Sequence, residues 1–555
     1  MFLNSPPHSN TNIHGAPRTY SAVSALRAFS ALSSVRVVAR VTTAAEAAAR
    51  DQAAIAAGTP SFELMLRAGT AAAALVLRDL GDHLAHGVAL FAGGGNNGGD
   101  AYVVAAQLAR AGVVVRVHVA APPRTPDAQR ASRIADRFLR HGPPTGHERV
   151  VVDGVLGTGH RGALRNGVAT ACAMLAAARD GGARVLALDV PSGLDATTGA
   201  MADGSVPAHV TLCFGSIKRG VLLQRAHAGR ILAIDIGLDV AHQVDDRAWQ
   251  LASVARVARA LPPVPWNAHK GTRGHLALVG GATGMAGALV LATRAALASG
   301  CGLAKVWISE SGLSVMQQSA PQAIAHPWPA HDSNGDAWGH ALAIGPGLGR
   351  SADSQALLRR ALRENPRVPL LLDADALTLT ALHAAGADAA AVIRDWCGPR
   401  AQMVCTPHPG EFARLLGAPV PRDWEAKAQA LSDFATASGS AVLLKGTPTL
   451  IATPGGEPPT VVAHGTSLLA TGGSGDLLTG IIGALLASGV DAGNAAMLGA
   501  TAHGIAAELA TSRAGGVRGL TLEAVLDALP YAWRRMARPA TFHPDVLSEF
   551  PSPTD

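Results

Sequence analysis

Asp476 stands directly after Thr471-Gly472-Gly473-Ser474-Gly475 and before the apolar run that begins at Leu477. Glycines at such a place let successive backbone N–H groups face one point at a helix start. That makes an anion hole able to hold a phosphoryl group in flight. A carboxylate beside it can take the proton of a hydroxyl that is being phosphorylated. The plainer alternative is an aspartate that only caps the helix, but four neighbours of glycine and serine exceed what a cap requires. Asp189 opens a second such place, Asp189-Val190-Pro191-Ser192-Gly193-Leu194-Asp195, at the end of a β-rich run. In a cleft it acts as general acid or base, and outside one it caps a turn. No GxxxxGK[ST] occurs, which excludes a Walker-type NTPase.

Further segments accompany each aspartate. On the N-terminal side, Gly93-Gly94-Gly95-Asn96-Asn97-Gly98-Gly99-Asp100 reads as a glycine loop that leads into a helix from Asp100. Asp153-Gly154-Val155-Leu156-Gly157-Thr158-Gly159-His160-Arg161-Gly162 contains a formal GxGxxG, weak without an acid at the end of the next strand. Phe214-Gly215-Ser216-Ile217-Lys218-Arg219-Gly220 keeps a lysine in a chain whose other lysines are only Lys270, Lys305, Lys427 and Lys445. On the C-terminal side stand Lys270-Gly271, Gly280–Ala288, Gly345-Pro346-Gly347-Leu348-Gly349 and Thr406-Pro407-His408-Pro409-Gly410-Glu411. Lys445-Gly446-Thr447-Pro448-Thr449 completes the set, with lysine again retained. Pro409 is placed to be the first residue of a helix.

These loops need a scaffold that gathers them. Near-continuous apolar runs at 86–91, 113–119, 149–152, 184–190, 209–214 and 230–234 alternate with helical stretches, as in a parallel sheet covered on both faces. In such sheets ligands sit beyond the carboxyl ends of the strands, where these glycine segments fall. Leu261-Pro262-Pro263-Val264-Pro265 then breaks the pattern, and a second, unrelated α/β series follows to a run of helices ending near Arg534. The expected division is a disordered extension over 1–35, domains over 36–255 and 262–540 with independent cores, and a flexible tail over 541–555.

Composition narrows the class. With 555 residues, 48% hydrophobic and 15% charged, the chain has ample material for more than one core. Its net charge of +6 is scattered, without basic runs or interleaved aromatics, so a nucleic-acid groove is not expected. The longest apolar run, Leu477–Val490, is too short to span a membrane. Five widely spaced cysteines without zinc spacing fit reduced thiols in a cytoplasmic protein.

The four N-terminal segments, in this order, resemble the N-terminal domain of the YjeF family, the NAD(P)H-hydrate epimerases. The C-terminal set, including Asp373-Ala374-Asp375-Ala376-Leu377, resembles the ribokinase-like superfamily and within it the NAD(P)H-hydrate dehydratases. The resemblance implies a Rossmann-like doubly wound sheet followed by a ribokinase-like α/β domain. It implies substrate contacts by Asn96, Asn97, Gly98, Gly99 and Asp100, by Gly157, Thr158, Gly159, His160, Arg161, Gly162 and Ala163, and by Asp189. A potassium site is implied at Asn97, Asp153 and Ser192. In the second half it implies hydrate contacts by Ala288, Gly347, His408 and Asp476, and nucleotide contacts by Lys445, Gly446, Thr447, Pro448, Thr449 and Gly475. Asp189 and Asp476 are the implied catalytic residues. The activities implied are epimerisation of R and S forms of hydrated NADH and NADPH, and dehydration of the S form at the expense of ADP with Mg²⁺. Neither nucleic acid nor membrane is an expected partner, and a homo-oligomer is expected. Ala101, Thr378 and Thr466–Leu469 depart from the family patterns. The alternative is a vitamin or sugar kinase fused to a non-catalytic nucleotide-binding scaffold.

Overall fold

Strands that are buried on both faces must be apolar throughout, and Val88–Ala92 and Val150–Gly154 are buried at every position. They pair in parallel, Val88 opposite Val150, with Val88 also opposite Val115. In this computed structural model, which describes residues 39–238, 247–328, 338–385, 388–398, 400, 402–538 and 545–553, they form the middle of an eight-stranded sheet. The order is Val546–Phe550, Arg230–Ile234, Val210–Phe214, Arg184–Leu188, Val150–Gly154, Val88–Ala92, Val115–Val119 and Arg140–His141. The extension expected over 1–35 lies outside the described residues.

A second sheet has twelve strands among the described residues. Its parallel part runs Ile324–Pro327, Leu303–Ile308, His275–Val279, Ala341–Ile344, Leu370–Leu372, Met403–Cys405 and Ala441–Leu444. Thr449–Ala452 and Thr460–Val462 continue it antiparallel. Helices Ala286–Ala298, Ser474–Ala487 and Ala492–Ala514 bury their small and aliphatic residues against it. The α/β class and the doubly wound, parallel-dominated architecture are those expected.

The two series are joined more closely than the proline linker suggested. Residues 262–267 are an exposed loop, as expected. Yet the second sheet goes on past Thr460–Val462 into three strands from the N-terminal half: Trp249–Leu251, Arg40–Thr42 and Ile217–Lys218. In return Val546–Phe550, in the stretch expected to be a flexible tail, pairs antiparallel with Arg230–Ile234 at the edge of the first sheet. The reason is physical. An uncovered edge strand exposes unpaired backbone groups, and the short strands carry large apolar side chains that water disfavours. Phe550 and Trp249 are buried, and burying a side chain of that size stabilises by about 1.5–3 kcal/mol. One core accordingly contains Val41, Val190, Ile217 and Trp249 together with Leu372, Phe412, Val461 and Phe550. No single helix among the described residues is long and apolar enough to cross a membrane.

The exchange of strands gives a test of how separable the halves are. When Met1–Leu261 and Pro262–Asp555 are produced together as two chains, they are expected to co-elute as one complex in size-exclusion chromatography. Each produced alone is expected to melt at lower temperature than the intact chain. Separate elution with unchanged melting would restore the picture of independent cores.

Candidate active sites

The N-terminal site begins where Val88–Ala92 ends. The helix that follows spans Asn96–Arg110, so it starts four residues earlier than the sequence suggested, and Asp100 lies inside its first turns instead of capping it. Gly95 is the N-cap and no side chain caps the helix. The glycines serve closeness more than flexibility. A Cβ on Gly98 would lie 1.9 Å from the Gly93 carbonyl oxygen, so only glycine lets helix and loop meet there.

Across from this helix start, Asn97, Asp153 and Ser192 come together around the loop 155–157. Asn97 Nδ2 donates to the Leu156 carbonyl (2.6 Å), and its Oδ1 is buried without a protein partner. Asp153, fully buried, accepts from Ser192 N (2.8 Å), Ser192 Oγ (2.5 Å) and Val155 N (3.1 Å). Burial pushes its carboxyl above the usual range, and the bonds from Ser192 and Val155 oppose this. An unanswered amide oxygen, a carboxylate and a hydroxyl form an oxygen-only set that suits a hard monovalent or divalent cation. Gly157 packs on Asn97, and Arg161 of the same loop reaches Asp195 (3.6 Å). His160 Nε2 is buried and unpartnered, while Gly159, Gly162 and Ala163 are exposed at the rim, with Thr158 half-buried.

Asp189 closes the strand Arg184–Leu188 with a left-handed backbone, φ 63°, a conformation that costs a non-glycine residue energy. Lys218, buried, donates to the Asp189 carboxylate and to the carbonyls of Phe214 (2.8 Å) and Ser216 (3.2 Å). The link between the two residues had been no more than chain order in the sequence. Two further carboxylates share this field. Asp51 keeps an exposed side chain but is partly desolvated by the surrounding protein, which raises it to about 6, with Lys218 opposing and Asp189 adding. Burial raises Asp100 well above its ordinary value, with Asp189 and Asp51 adding. Asp51, in the alanine-rich helix Ala44–Ala56, was missed because nothing in its local sequence marks it. The helix is brought in by Arg40–Thr42 pairing beside Lys218 and by the bond from Ala44 N to Thr197 Oγ1 (3.0 Å).

In the C-terminal site, the helix after the glycine turn is Ser474–Ala487. Its N-cap is Gly473, φ 96°, with no side-chain cap, so Asp476 sits in the first turn and is not the capping residue. The capping alternative therefore fails on geometry. Burial raises the Asp476 carboxyl to about 7; Asp373, Asp375 and Glu411 add to the effect and Lys445 opposes it. Lys445 Nζ pairs with Asp373 Oδ1 (2.6 Å), and Thr479 Oγ1 donates to Asp373 Oδ2 (2.6 Å). A Cβ on Gly475 would lie 3.2 Å from Lys445 Nζ, which places the lysine directly over the turn.

The other expected residues surround this pair. Gly347 is left-handed (φ 57°), and a Cβ there would lie 3.2 Å from that of Ala288, so these two adjoin. His408 is the N-cap of the helix Pro409–Leu416, its Nδ1 accepting from Gly410 N (2.9 Å) and Glu411 N (3.3 Å), with the ring half exposed. Gly446 and Thr447 are exposed beside Lys445, with Pro448 buried, and Thr449 Oγ1 donates to the Gly446 carbonyl (3.1 Å). Thr378, a departure from the family pattern, has its buried Oγ1 without a protein partner. The sequence reading missed Asp373 and Asp375 as site residues. Asp375 accepts from Gly349 N (3.0 Å) and pairs with Arg350 (2.8 Å), which fixes the Gly345–Gly349 loop. The signal was available: two acids immediately beyond a fully buried strand, Leu370–Leu372.

Comparison with known proteins follows this division. Residues 276–530 match the family model described as NAD(P)H-hydrate dehydratase, and residues 61–220 the one described as the YjeF-related protein N-terminus. The bifunctional NAD(P)H-hydrate repair enzyme of Mycobacterium tuberculosis is 37% identical over 80% of this chain and 89% of its own. That of Escherichia coli is 33% identical over 84% and 89%. A solved ADP/ATP-dependent NAD(P)H-hydrate dehydratase from Bacillus subtilis is 30% identical, covering 52% of this chain and 98% of its own, with a TM-score of 0.45.

Removing the charge of Asp373 tests the electrostatics of the second site. In Asp373→Asn, Asp476 loses its strongest charged neighbour of like sign and faces an unpaired Lys445. Its carboxyl carbon, followed by NMR, is expected to titrate below about 7. An unchanged midpoint would mean that burial alone sets it.

Proposed function

This chain belongs to the bifunctional NAD(P)H-hydrate repair enzymes, and from that footing we propose how its two sites divide the work. Residues 36–255 carry the epimerase and 262–540 the dehydratase. Hydration of the nicotinamide ring of NADH or NADPH leaves a hydroxyl on C6 in two epimeric forms. The dehydratase acts on the S form, and the epimerase interconverts S and R.

Hydroxide is a poor leaving group, so the hydroxyl is first converted into a phosphate ester. The observation that carries this reading is Asp476, uncapped, beside an uncapped helix start and held near neutrality. Its carboxylate takes the hydroxyl proton as the oxygen attacks the terminal phosphorus of ADP. The bond from that phosphorus to the bridging oxygen breaks, and AMP leaves. The amides of Gly472, Gly473 and Gly475 face the charge that develops on the transferred group. The ester's C6–O bond then breaks with its electron pair, assisted by the ring nitrogen. Loss of a C5 proton restores the C5–C6 double bond and frees phosphate. Lys445 and Thr447–Thr449 hold the nucleotide, and Ala288, Gly347 and His408 the hydrate. Mg²⁺ bound with the nucleotide would neutralise the charge of its phosphates.

In the epimerase, C6 carries both a hydroxyl and the ring nitrogen. Protonating the hydroxyl lets water depart, and water returning to the other face inverts the centre. Asp189 relays the proton: taken from the Lys218 ammonium that it holds, it is passed to the departing hydroxyl, and it is taken back by Asp189 from the water that returns. Asn97, Asp153 and Ser192 would hold K⁺, which fits the unanswered Asn97 Oδ1; it would supply a fixed positive charge beside the substrate loop 157–163. The kinase-plus-scaffold alternative has no use for the buried Asp189–Lys218 pair. The buried, unpaired thiols of the five cysteines support a reducing, cytoplasmic setting.

Asp476→Asn keeps the shape but cannot accept a proton. It is expected to abolish measurable dehydration, spare epimerisation and leave melting near normal. In the unmodified enzyme the base must be ionised, so the dehydration rate should rise as pH passes upward through about 7 and be lost below it. A mutant with full turnover would sink the mechanism. For the other site, Asp189→Asn is expected to slow epimerisation by ~10²-fold or more while dehydration of the S form continues. Unchanged epimerisation, measured by separating the two epimers chromatographically, would reduce Asp189 to a turn residue.

A further inference from the structure

The segment that carries Lys218 continues toward the other active site. From Arg219, whose guanidinium reaches Glu425 (2.8 Å) and stacks over Trp249 (3.9 Å to the ring centre), it turns through the short helix Arg219–Leu223 to Arg225, the first residue of the helix Arg225–Ala228. Arg225 belongs to the epimerase half by sequence, yet its bonds are made with the other half. It donates to the carbonyls of Ala463 and Gly465 (3.4 Å for the latter) and of Pro551 (2.6 Å), and it stands 3.8 Å from Glu508. Glu508 in turn accepts from Gly465 N (2.9 Å) and His464 Nδ1 (3.0 Å). Both side chains are buried, so these bonds are not diluted by water.

What Arg225 grips leads directly into the phosphoryl-binding turn. From Gly465 the chain passes Thr466, whose hydroxyl meets Thr511 (3.1 Å) and accepts from Leu468 N (3.3 Å). The short helix Ser467–Ala470 follows, and the Leu469 carbonyl accepts from Ser474 Oγ (2.7 Å), the first residue of the helix that bears Asp476. The segment is therefore tied at both ends, by Arg225 and Glu508 at Gly465 and by Ser474 at Leu469, and its short turn is closed by the bond from Leu469 N to the Thr466 carbonyl (3.1 Å). The glycine turn itself has no side-chain cap to hold it, so its aim depends on the segment behind it.

We propose that Arg225 is a positioning residue for the dehydratase, contributed by the epimerase half, which fixes the segment Ala463–Ala470 and thereby aims the amides of Gly472, Gly473 and Gly475 at the transferred phosphoryl group. This rests on the dehydratase reading given above. It makes the phosphoryl-transfer site a composite of both halves, and it gives the fusion of the two activities in one chain a mechanical reason.

The test uses the full chain with Arg225→Met, which keeps length and apolar stem but removes every donor, and Arg225→Lys, which restores a single charged donor. Dehydration of the S form with ADP, epimerisation and thermal melting are measured for each. Misaimed amides weaken binding of the transition state and not of the bound nucleotide. For Arg225→Met the kcat of dehydration is therefore expected to fall by at least ~10-fold, as small misplacements do. KM for ADP should stay within about twofold and epimerisation should be unchanged. Arg225→Lys should recover part of the loss. Equal loss of both activities with a lowered melting point would overturn the proposal in favour of a purely structural role. So would unchanged dehydration in Arg225→Met. Absence of dehydration in the unmodified chain would instead overturn the dehydratase reading itself, so the two failures are distinguishable.

Discussion

Each half of this protein is organised around a lysine–aspartate pair at the carboxyl end of a parallel strand, in which one partner is buried: Lys218 in the first pair and Asp373 in the second. A desolvated ammonium is tolerated only when paired and hydrogen-bonded. Lys218 meets this requirement through Asp189 and two backbone carbonyls, and in the second pair the buried carboxylate of Asp373 is answered by the half-buried Lys445 and by Thr479. Two of the chain's five lysines thus mark its two sites. A compact ammonium suits such a position better than the broad guanidinium fork that the chain uses almost everywhere else. Once those pairs are fixed, the neighbouring carboxylates feel both the burial and the pair. Asp51 and Asp476 come to titrate near neutrality, where proton transfer is most useful.

The scaffold brings these pairs about by ordinary means. Fully buried parallel strands end together, and the glycine segments that follow them gather at one edge of each sheet. The less ordinary feature is that neither sheet is completed by its own stretch of sequence. Trp249–Leu251, Arg40–Thr42 and Ile217–Lys218 extend the second sheet, and Val546–Phe550 covers the first. Since Ile217–Lys218 is both an edge strand of the second sheet and the bearer of the lysine that pairs with Asp189, the two candidate sites share a structural element.

Much of this was legible in the sequence, for identifiable reasons. Long apolar runs such as Val150–Gly154 are unambiguous, and the glycine segments recur in a fixed order, so the α/β class and the two motif sets could be read directly. Helix starts were less legible. Asn96 and Ser474 begin their helices within stretches that read as loops, because a glycine in a first helical turn looks like a glycine in a turn. The exchanged strands Arg40–Thr42, Ile217–Lys218, Trp249–Leu251 and Val546–Phe550 were illegible, since their pairing depends on partners far away in the chain. Asp51 was invisible for the same reason, its significance arising only when Arg40–Thr42 lies beside Lys218. Asp373 was visible as a motif residue, but its pairing with Lys445, 72 residues on, was not.

The central claim is that one chain both interconverts the epimers of hydrated NADH or NADPH and dehydrates one of them with a nucleotide. A single progress curve tests it most directly. Purified protein is mixed with an equal mixture of R- and S-hydrated NADH, K⁺, Mg²⁺ and excess ADP, and the return of reduced-nicotinamide absorbance is followed to its end while AMP is quantified. Absorbance is expected to return for the whole mixture, with one AMP formed for each NADH recovered. A curve that stops at the share of the S epimer, or recovery of NADH without AMP, would contradict the central claim.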